Sequence, residues 1–160
     1  VKRKRKRSDF MRRLRKKYEK PFRPWDKERL EKERELLKTY GLKKKQELWR
    51  TEALLKKYRK IARSLIAKRD KEKERILIEK LNRMGILPVD ASLDDVLSLT
   101  VENFLERRLQ TLLFRKGMAK SVKHARQLIT HGHVTINGRK VVYPSYLVPT
   151  SEEDKIRVEK

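Results

Sequence analysis

Gly117-Met118-Ala119-Lys120-Ser121-Val122-Lys123-His124-Ala125-Arg126-Gln127-Leu128-Ile129-Thr130-His131-Gly132-His133-Val134-Thr135-Ile136-Asn137-Gly138-Arg139-Lys140-Val141-Val142 is the stretch from which the fold is read. Gly117 stops whatever helix precedes it, because helices commonly end by turning through a left-handed residue. Ser121 then caps a helix from Val122 to His131, and Gly132 stops it. Ala125, Leu128 and Ile129 face inward on that helix, which leaves Lys123, His124, Arg126 and Gln127 outward. After Gly132 the apolar spacing switches from helical to alternating. Val134-Thr135-Ile136 reads as a short strand, with Val134 and Ile136 on one side and Thr135 and the following turn free for solvent or ligand. Asn137-Gly138 is the strongest short hairpin signal, since both central residues of a type I′ turn need positive φ. Arg139-Lys140-Val141-Val142 is the return strand.

Working outward, Thr100 caps a helix running to about Lys116. Its inner face is Val101, Phe104, Leu105, Leu109, Leu112 and Leu113, and its outer face shows Arg107, Arg108 and Arg115. Beyond Pro144, Tyr146-Leu147-Val148 and Ile156-Arg157-Val158 read as further strands. Two helices followed by a small sheet make one unit, with a polar side rich in Arg and Lys.

The region before it reads as helical. Asp26, after Arg23-Pro24-Trp25, caps a solvent-washed helix laced with opposite charges at three- and four-residue spacing, among them Glu28, Lys32, Glu33 and Glu35. Leu30, Leu37 and Tyr40 are its apolar stripe, and Gly41 its stop. A second helix runs from about Lys45 to Lys68, its core face including Leu48, Trp49, Leu54, Leu55, Tyr58, Ile61, Ala62, Leu65 and Ile66. Its opposite face carries Arg50, Lys56, Lys57, Arg59, Lys60 and Arg63, an excess of cations that favours a polyanion over plain solvation. Lys68 to Arg75 is a charged bridge that the pattern leaves open as helix or loop. Helix resumes from Ile76 to Met84, and Ser92 caps a short helix with Leu93-Asp94-Asp95.

The chain has 160 residues, 46 Lys and Arg against 22 Asp and Glu, and a net charge of +24. That charge is unevenly spread. Residues 1–20 carry +10 and residues 21–80 another +10, whereas residues 81–104 carry −3 and residues 105–140 carry +8. The first 20 residues cannot bury enough apolar surface to fold alone and read as an arm for phosphates. Hydrophobic residues make up 37%, below the usual 45–50% or so. Gly and Pro are scarce at five each, which with the Lys, Arg, Glu and Leu content predicts mostly helix. No apolar run is long enough to span a membrane, and VKRKRKR has no apolar stretch behind it, so neither a transmembrane helix nor a secretory signal is expected. There is no Cys, which excludes disulfides, thiol nucleophiles and Cys-based zinc sites.

Arg108-Leu109, Gly117-Met118-Ala119-Lys120-Ser121, Ala125-Arg126-Gln127-Leu128-Ile129, Gly132-His133-Val134, Asn137-Gly138 and Pro144-Ser145 occur in an order that resembles the αL RNA-binding domain, the module named after small-subunit ribosomal protein four. Leu105-Glu106-Arg107-Arg108-Leu109-Gln110-Thr111, Arg23-Pro24-Trp25, Tyr40-Gly41-Leu42 and Asp94-Asp95-Val96-Leu97 extend the likeness over nearly the whole chain, to the archaeal and eukaryotic ribosomal protein four family. At Gln110 many members carry Asp, a departure that touches a local cap and not the RNA-facing positions. Bacterial relatives often have an N-terminal zinc knuckle, which a Cys-free chain cannot build.

The resemblance implies an α+β fold, mainly helical. Residues 1–22 would be a basic extension, 23–100 a helical rRNA-binding region, 101–148 the αL domain of two helices on a small antiparallel sheet, and 149–160 a C-terminal strand or tail. It implies RNA contact through Arg107, Arg108, Arg115, Lys116, Lys120, Ser121, Lys123, His124, Arg126, Gln127, His131, His133, Asn137, Arg139 and Lys140. Additional rRNA contacts would come from Lys2, Arg3, Lys4, Arg5, Lys6, Arg7, Arg12 and Arg13 in the tail, and from Arg50, Lys56, Lys57, Arg59, Lys60 and Arg63. Arg108→Ala or Arg126→Ala is expected to cost more affinity than Lys6→Ala, because a folded patch loses less entropy on binding than a tail does. The implied partners are small-subunit rRNA, neighbouring small-subunit proteins and mRNA near the path by which it enters, with no membrane and no small-molecule substrate. The implied role is a cytoplasmic, ribosome-bound constituent that binds early, nucleates assembly of the subunit body and affects decoding accuracy. A-form RNA hides its major groove from side chains, so recognition would go by shape, phosphates and 2′-hydroxyls.

Other readings of the same residues are weaker. His131 and His133 lack carboxylate or Cys support for a metal, and Ser121 with His124 lacks an oxyanion site and an acidic orienter. No glycine-rich phosphate loop indicates a nucleotide, so neither metal, cofactor nor catalysis is expected. Trp25 and Trp49 read as core or helix-contact anchors. Two rival functions remain: an αL-bearing ribosome-rescue or RNA-modification accessory factor, whose likeness would end at the module, and a DNA-packaging protein, which the hairpin and cap pattern disfavours.

Overall fold

The computed structural model describes residues 17–159. The tail contacts named above, from Lys2 to Arg13, lie outside the described residues. The chain forms α1 (Lys27–Thr39), α2 (Lys45–Lys68), α3 (Lys71–Arg83), α4 (Leu93–Ser98), α5 (Val101–Glu106), α6 (Leu109–Arg115), α7 (Val122–Thr130), β1 (Val134–Ile136), β2 (Arg139–Lys140) and β3 (Ile156–Val158). The fold is α+β and mainly helical. No helix among the described residues is long and apolar enough to cross a membrane.

Local capping chemistry sets most boundaries. Asp26 accepts from the Arg29 backbone N–H, and Gly41 at φ +57° ends the first helical stretch. α2 spans the expected residues and ends where Arg69 turns left-handed at φ 53°. The charged bridge, left open as helix or loop, is mostly helix, with only Arg69 and Asp70 between α2 and α3. Asp70 caps α3 by accepting from Lys73 N–H, so this helix starts at Lys71, five residues before the expected Ile76. Glu72 and Glu74 in its first turn suit the positive end of the helix dipole. Ser92 with Asp95, and Thr100 with Asn103, form reciprocal capping boxes at α4 and α5.

The helix expected from Thr100 to Lys116 is broken. Arg108 is extended (φ −71°, ψ 141°) and separates α5 from α6. This opens backbone groups that bind a later segment. Leu109 N–H donates to Tyr146 C=O at 2.8 Å, and Val148 N–H donates to Arg107 C=O at 3.1 Å. Tyr146 to Val148 therefore meets the break by a single bridge, Arg108 with Leu147, and not as a full strand.

The sheet is antiparallel with order β2-β1-β3. Thr135 faces Lys140 and Arg157 across it, and Ile136 faces Arg139 and Ile156. Asn137 (φ 53°) and Gly138 (φ 74°) supply the expected turn. The return strand is shorter than expected, covering Arg139 and Lys140, although Val141 N–H still reaches Val134 C=O. Thr135 corrects a sequence expectation. It is buried, not free, and lies between its cross-strand neighbours Lys140 and Arg157.

Three apolar clusters hold these parts together. One joins α2, α3, α4 and α5 through Leu55, Tyr58, Leu81, Val96 and Phe104. A second joins α6, α7 and the sheet through Leu109, Leu113, Ile129, Val134 and Ile156. The third, Tyr40, Leu42, Leu48 and Leu105, closes the α1–α2 turn onto α5. Ile66, placed on the core face of α2 by its spacing, is 44% exposed.

Candidate nucleic-acid interface

Glu47, in the first turn of α2, organises the junction between the helical region and the hairpin unit. Arg108 donates to its Oε2 at 2.8 Å, and Arg126 donates to Oε1 at 2.9 Å and Oε2 at 3.1 Å. One carboxylate thus receives two guanidiniums from two later elements. Burial pushes the Glu47 carboxyl up, but the hydrogen bonds and charges of Arg126 and Arg108 outweigh it and hold it below the usual carboxylate range. Arg108 is 4% exposed, and its pKa is lowered by burial although Glu47 opposes that shift. Arg108 therefore leaves the outer face on which its spacing placed it. The reason is the α5–α6 break, which turns it toward α2. Arg126 is half-buried, its guanidinium likewise committed to Glu47.

A cleft of about 550 Å³ opens beside this cluster, with Lys43, Lys44 and Arg50 on its rim. Buried Gln110 ties the α1–α2 turn to the start of α7. Its amide nitrogen donates to the Gly41 and Val122 carbonyls at 3.1 Å each and lies 3.4 Å from that of Tyr40. A Cβ on Gly41 would sit 3.0 Å from that nitrogen, so the α1–α2 turn passes close to α6 and α7 only as glycine. An Asp at position 110 could not donate these bonds, which gives the departure noted in the sequence a physical role here.

The remaining cations sort by partner. Arg107 donates to Glu153 at 2.8 Å and to the Val148 carbonyl at 2.9 Å. Lys116 reaches the Glu153 carbonyl and Asp154, and Arg115 pairs with Glu106 at the surface. Arg107 and Lys116 thus clamp the C-terminal 3₁₀ turn, Thr150–Lys155, and are half-buried. By contrast, Lys120, Ser121, Lys123, Gln127, His131, His133, Asn137, Arg139 and Lys140 are all exposed. Lys120, Lys123, Arg139 and Lys140 have no carboxylate within ion-pair distance among the described residues. Ser121 Oγ accepts from His124 N–H at 3.1 Å, so the first turn of α7 is fixed with His124 beside it. Arg157 of β3 is also exposed and pairs in register with Thr135, a cation that the sequence reading did not single out.

On α2, Arg50, Lys56, Lys57, Lys60 and Arg63 are exposed as expected. Arg59 is half-buried and donates to the Leu99 carbonyl, tying α2 to the α4–α5 link. Sequence reading missed Glu47, Lys43 and Lys44. The Lys43-Lys44-Lys45 run was a visible signal, whereas nothing local marks Glu47 among the chain's many glutamates.

Glu33 corrects the picture of α1 as solvent-washed. It is 3% exposed and receives Arg29, Lys45 at 3.0 Å and the Trp49 indole N–H at 3.1 Å. Burial raises its pKa, but Trp49, Lys45 and Arg29 together bring it below normal. Trp49 is the helix-contact anchor expected of it. Trp25 is not an anchor: it is 89% exposed.

A family model described as the S4 domain matches residues 107–154. The matched stretch spans α6, α7 and the β1–β2 hairpin, which define an S4-domain protein. The small ribosomal subunit protein uS4 of Korarchaeum cryptofilum is 56% identical over 148 residues, 91% of this chain and 89% of the relative. The protein of that name from Hyperthermus butylicus is 52% identical over 145 residues, 89% and 82% of the two chains. That from Methanococcus aeolicus is 52% identical over 149 residues, 91% and 84%. The chain belongs to the uS4 family of small ribosomal subunit proteins.

Proposed function

We propose that this chain is a structural constituent of the small ribosomal subunit that binds small-subunit rRNA through the exposed cations of α7 and the β1–β2 hairpin. One observation carries the reading. Lys120, Lys123, Arg139 and Lys140 are exposed and free of carboxylate partners among the described residues, next to a fixed helix start at Ser121. Backbone N–H groups at a helix start and unpaired cations both suit phosphate oxygens. Gln127, His124, His131, His133 and Asn137 add donors for sugars and phosphates. The α2 cations, Lys43 and Lys44 extend this surface. Arg107, Arg108, Arg115, Lys116 and Arg126 act mainly by holding the surface in shape, being committed to carboxylates or carbonyls.

Within this reading the basic residues 1–22 and the helical region 23–100 add rRNA contacts to those of the hairpin unit. The protein binds early, nucleates assembly of the subunit body, meets neighbouring ribosomal proteins, and affects decoding near the path by which mRNA enters. The role is structural, and the site is the ribosome in the cytoplasm. Filter binding to small-subunit rRNA across a salt series tests the core of it. Affinity falls steeply with salt, by about 0.7–0.9 in log–log slope per phosphate contact. Crosslinks on purified subunits map to nucleotides beside α7 and the hairpin. A salt-independent interaction, or recovery chiefly in ribosome-free fractions, overturns the proposal. Omission of the protein from a stepwise subunit reconstitution tests the assembly role, and a missense-decoding reporter tests the accuracy role.

A further inference from the structure

Phe22 and Trp25 are large aromatic side chains that the fold leaves outside its core. Phe22 is 97% exposed and Trp25 89%. The loop that carries them is tied down on both sides. Before it, the Tyr18 ring lies 5.8 Å from the Trp49 ring, and Arg50 sits 6.0 Å from the centre of Tyr18. After it, Arg29 Nη2 donates to the Arg23 carbonyl at 2.9 Å and the Pro24 carbonyl at 3.2 Å. Arg29 is itself held by Glu33, which Lys45 and Trp49 hold in turn. Pro21 and Pro24 further restrict the backbone. The two rings are thus presented on an anchored backbone, with a cleft of about 480 Å³ beside Phe22 that Pro24, Leu30 and Trp49 help to line.

Charge identifies the occupant. Lys20, Arg23 and Lys27 flank the rings and are exposed. The 16 residues that precede the described chain carry ten Lys and Arg against one Asp, with a single aromatic, Phe10. Such a charge excess suits a polyanion. Aromatic rings flanked by cations suit single-stranded nucleic acid, whose bases stack on the rings while cations follow the backbone. We propose that Phe22 and Trp25 form a stacking platform for unpaired RNA bases. The platform uses residues other than those of α7 and the hairpin, and adds base contact to a protein whose other contacts favour phosphate and shape. It rests on the rRNA-binding reading for its physiological ligand.

The test uses the full chain and two probes, a small-subunit rRNA transcript and an unstructured oligoadenylate. Trp25→Ala weakens binding to both by about tenfold, without changing the salt slope, since a ring displaces no counterions. Trp25→Phe retains most of the affinity. In a Trp49→Phe protein, Trp25 is the sole tryptophan, and its emission is quenched as either RNA saturates. Circular dichroism melting of each variant reports the fold, and the Trp25→Ala binding arm stands independently of the Trp49 substitution. Trp25→Ala binding within twofold of the unaltered chain, together with unchanged Trp25 emission, overturns the platform while leaving rRNA binding intact. Emission that ignores both RNAs but shifts with RNA-free ribosomal proteins assigns the rings to a protein neighbour and also overturns it. Failure of the unaltered chain to prefer rRNA, with Trp25 still quenched by oligoadenylate, sinks the rRNA reading and keeps the platform.

Discussion

Two groups of cations between the α5–α6 break and the hairpin do opposite work. Arg108 and Arg126 end on Glu47, buried or half-buried at the junction with α2. Lys123 and Arg139, nearby in the chain, end in solvent with no carboxylate partner among the described residues. Charge counted along the sequence makes all four equal. The fold spends the first pair on architecture and leaves the second for a ligand. A basic patch is therefore an upper bound on a binding surface, and its inner members are read as binding residues only at the risk of confusing folding with affinity.

The comparison is broken most directly at Glu47. Glu47→Ala leaves two guanidiniums facing each other, one of them buried, and costs about 3–5 kcal/mol of stability. Urea unfolding checks this, and a cost below about 1 kcal/mol means that the junction is not organised by that carboxylate. Arg108→Ala similarly lowers the unfolding midpoint, so any loss of RNA affinity in that variant tracks the unfolded fraction.

Gln110→Asp comes next. It replaces a donor with oxygens aimed at the Gly41 and Val122 carbonyls, for a loss of about 1–3 kcal/mol in the same assay. Gln110→Asp as stable as the parent refutes the clamp.

Acid titration follows. Glu47 and Glu33 both have folded pKa values below their ordinary 4.5. A depressed folded pKa contributes stability that is fully present above about 4.5 and is lost as pH falls through the lowered value. Unfolding free energy therefore declines with acid below that point, and Glu47→Gln shows a shallower decline. Equal slopes for the two proteins contradict the pairing.

The smallest stability effect belongs to the exposed group. Lys123→Ala or Arg139→Ala changes stability by no more than about 0.5 kcal/mol. Either substitution lowers RNA affinity and reduces the salt slope by about one. Loss of stability without loss of slope in these variants reverses the assignment of the two groups.

Legibility followed range. Asp26, Gly41, Ser92, Thr100, Ser121 and Asn137-Gly138 act within a few residues of themselves, and each set a boundary or turn close to where the sequence put it. The α5–α6 break escaped because Arg108 and its neighbours have ordinary helix propensity, and only pairing with Tyr146 to Val148 makes an extended residue there favourable. Thr135 escaped for a similar reason. Alternation predicts a free face, but Thr135 lies between Lys140 and Arg157, and the pairing with β3 joins segments more than 20 residues apart.

By itself the sequence determined most of the helices, the hairpin turn, the caps at Asp26, Ser92, Thr100 and Ser121, the segregated charge and the likeness to the ribosomal protein four family. Those features depend on local backbone preference and on residues in a fixed order. Only the tertiary structure decided which cations remain available and which rings stay outside the core. Glu47 meets Arg108 across 61 residues of chain and Arg126 across 79, and no periodicity carries information over that distance. Trp25 left the core because Arg29 ties its loop backbone in place while the indole projects beyond any packing partner among the described residues.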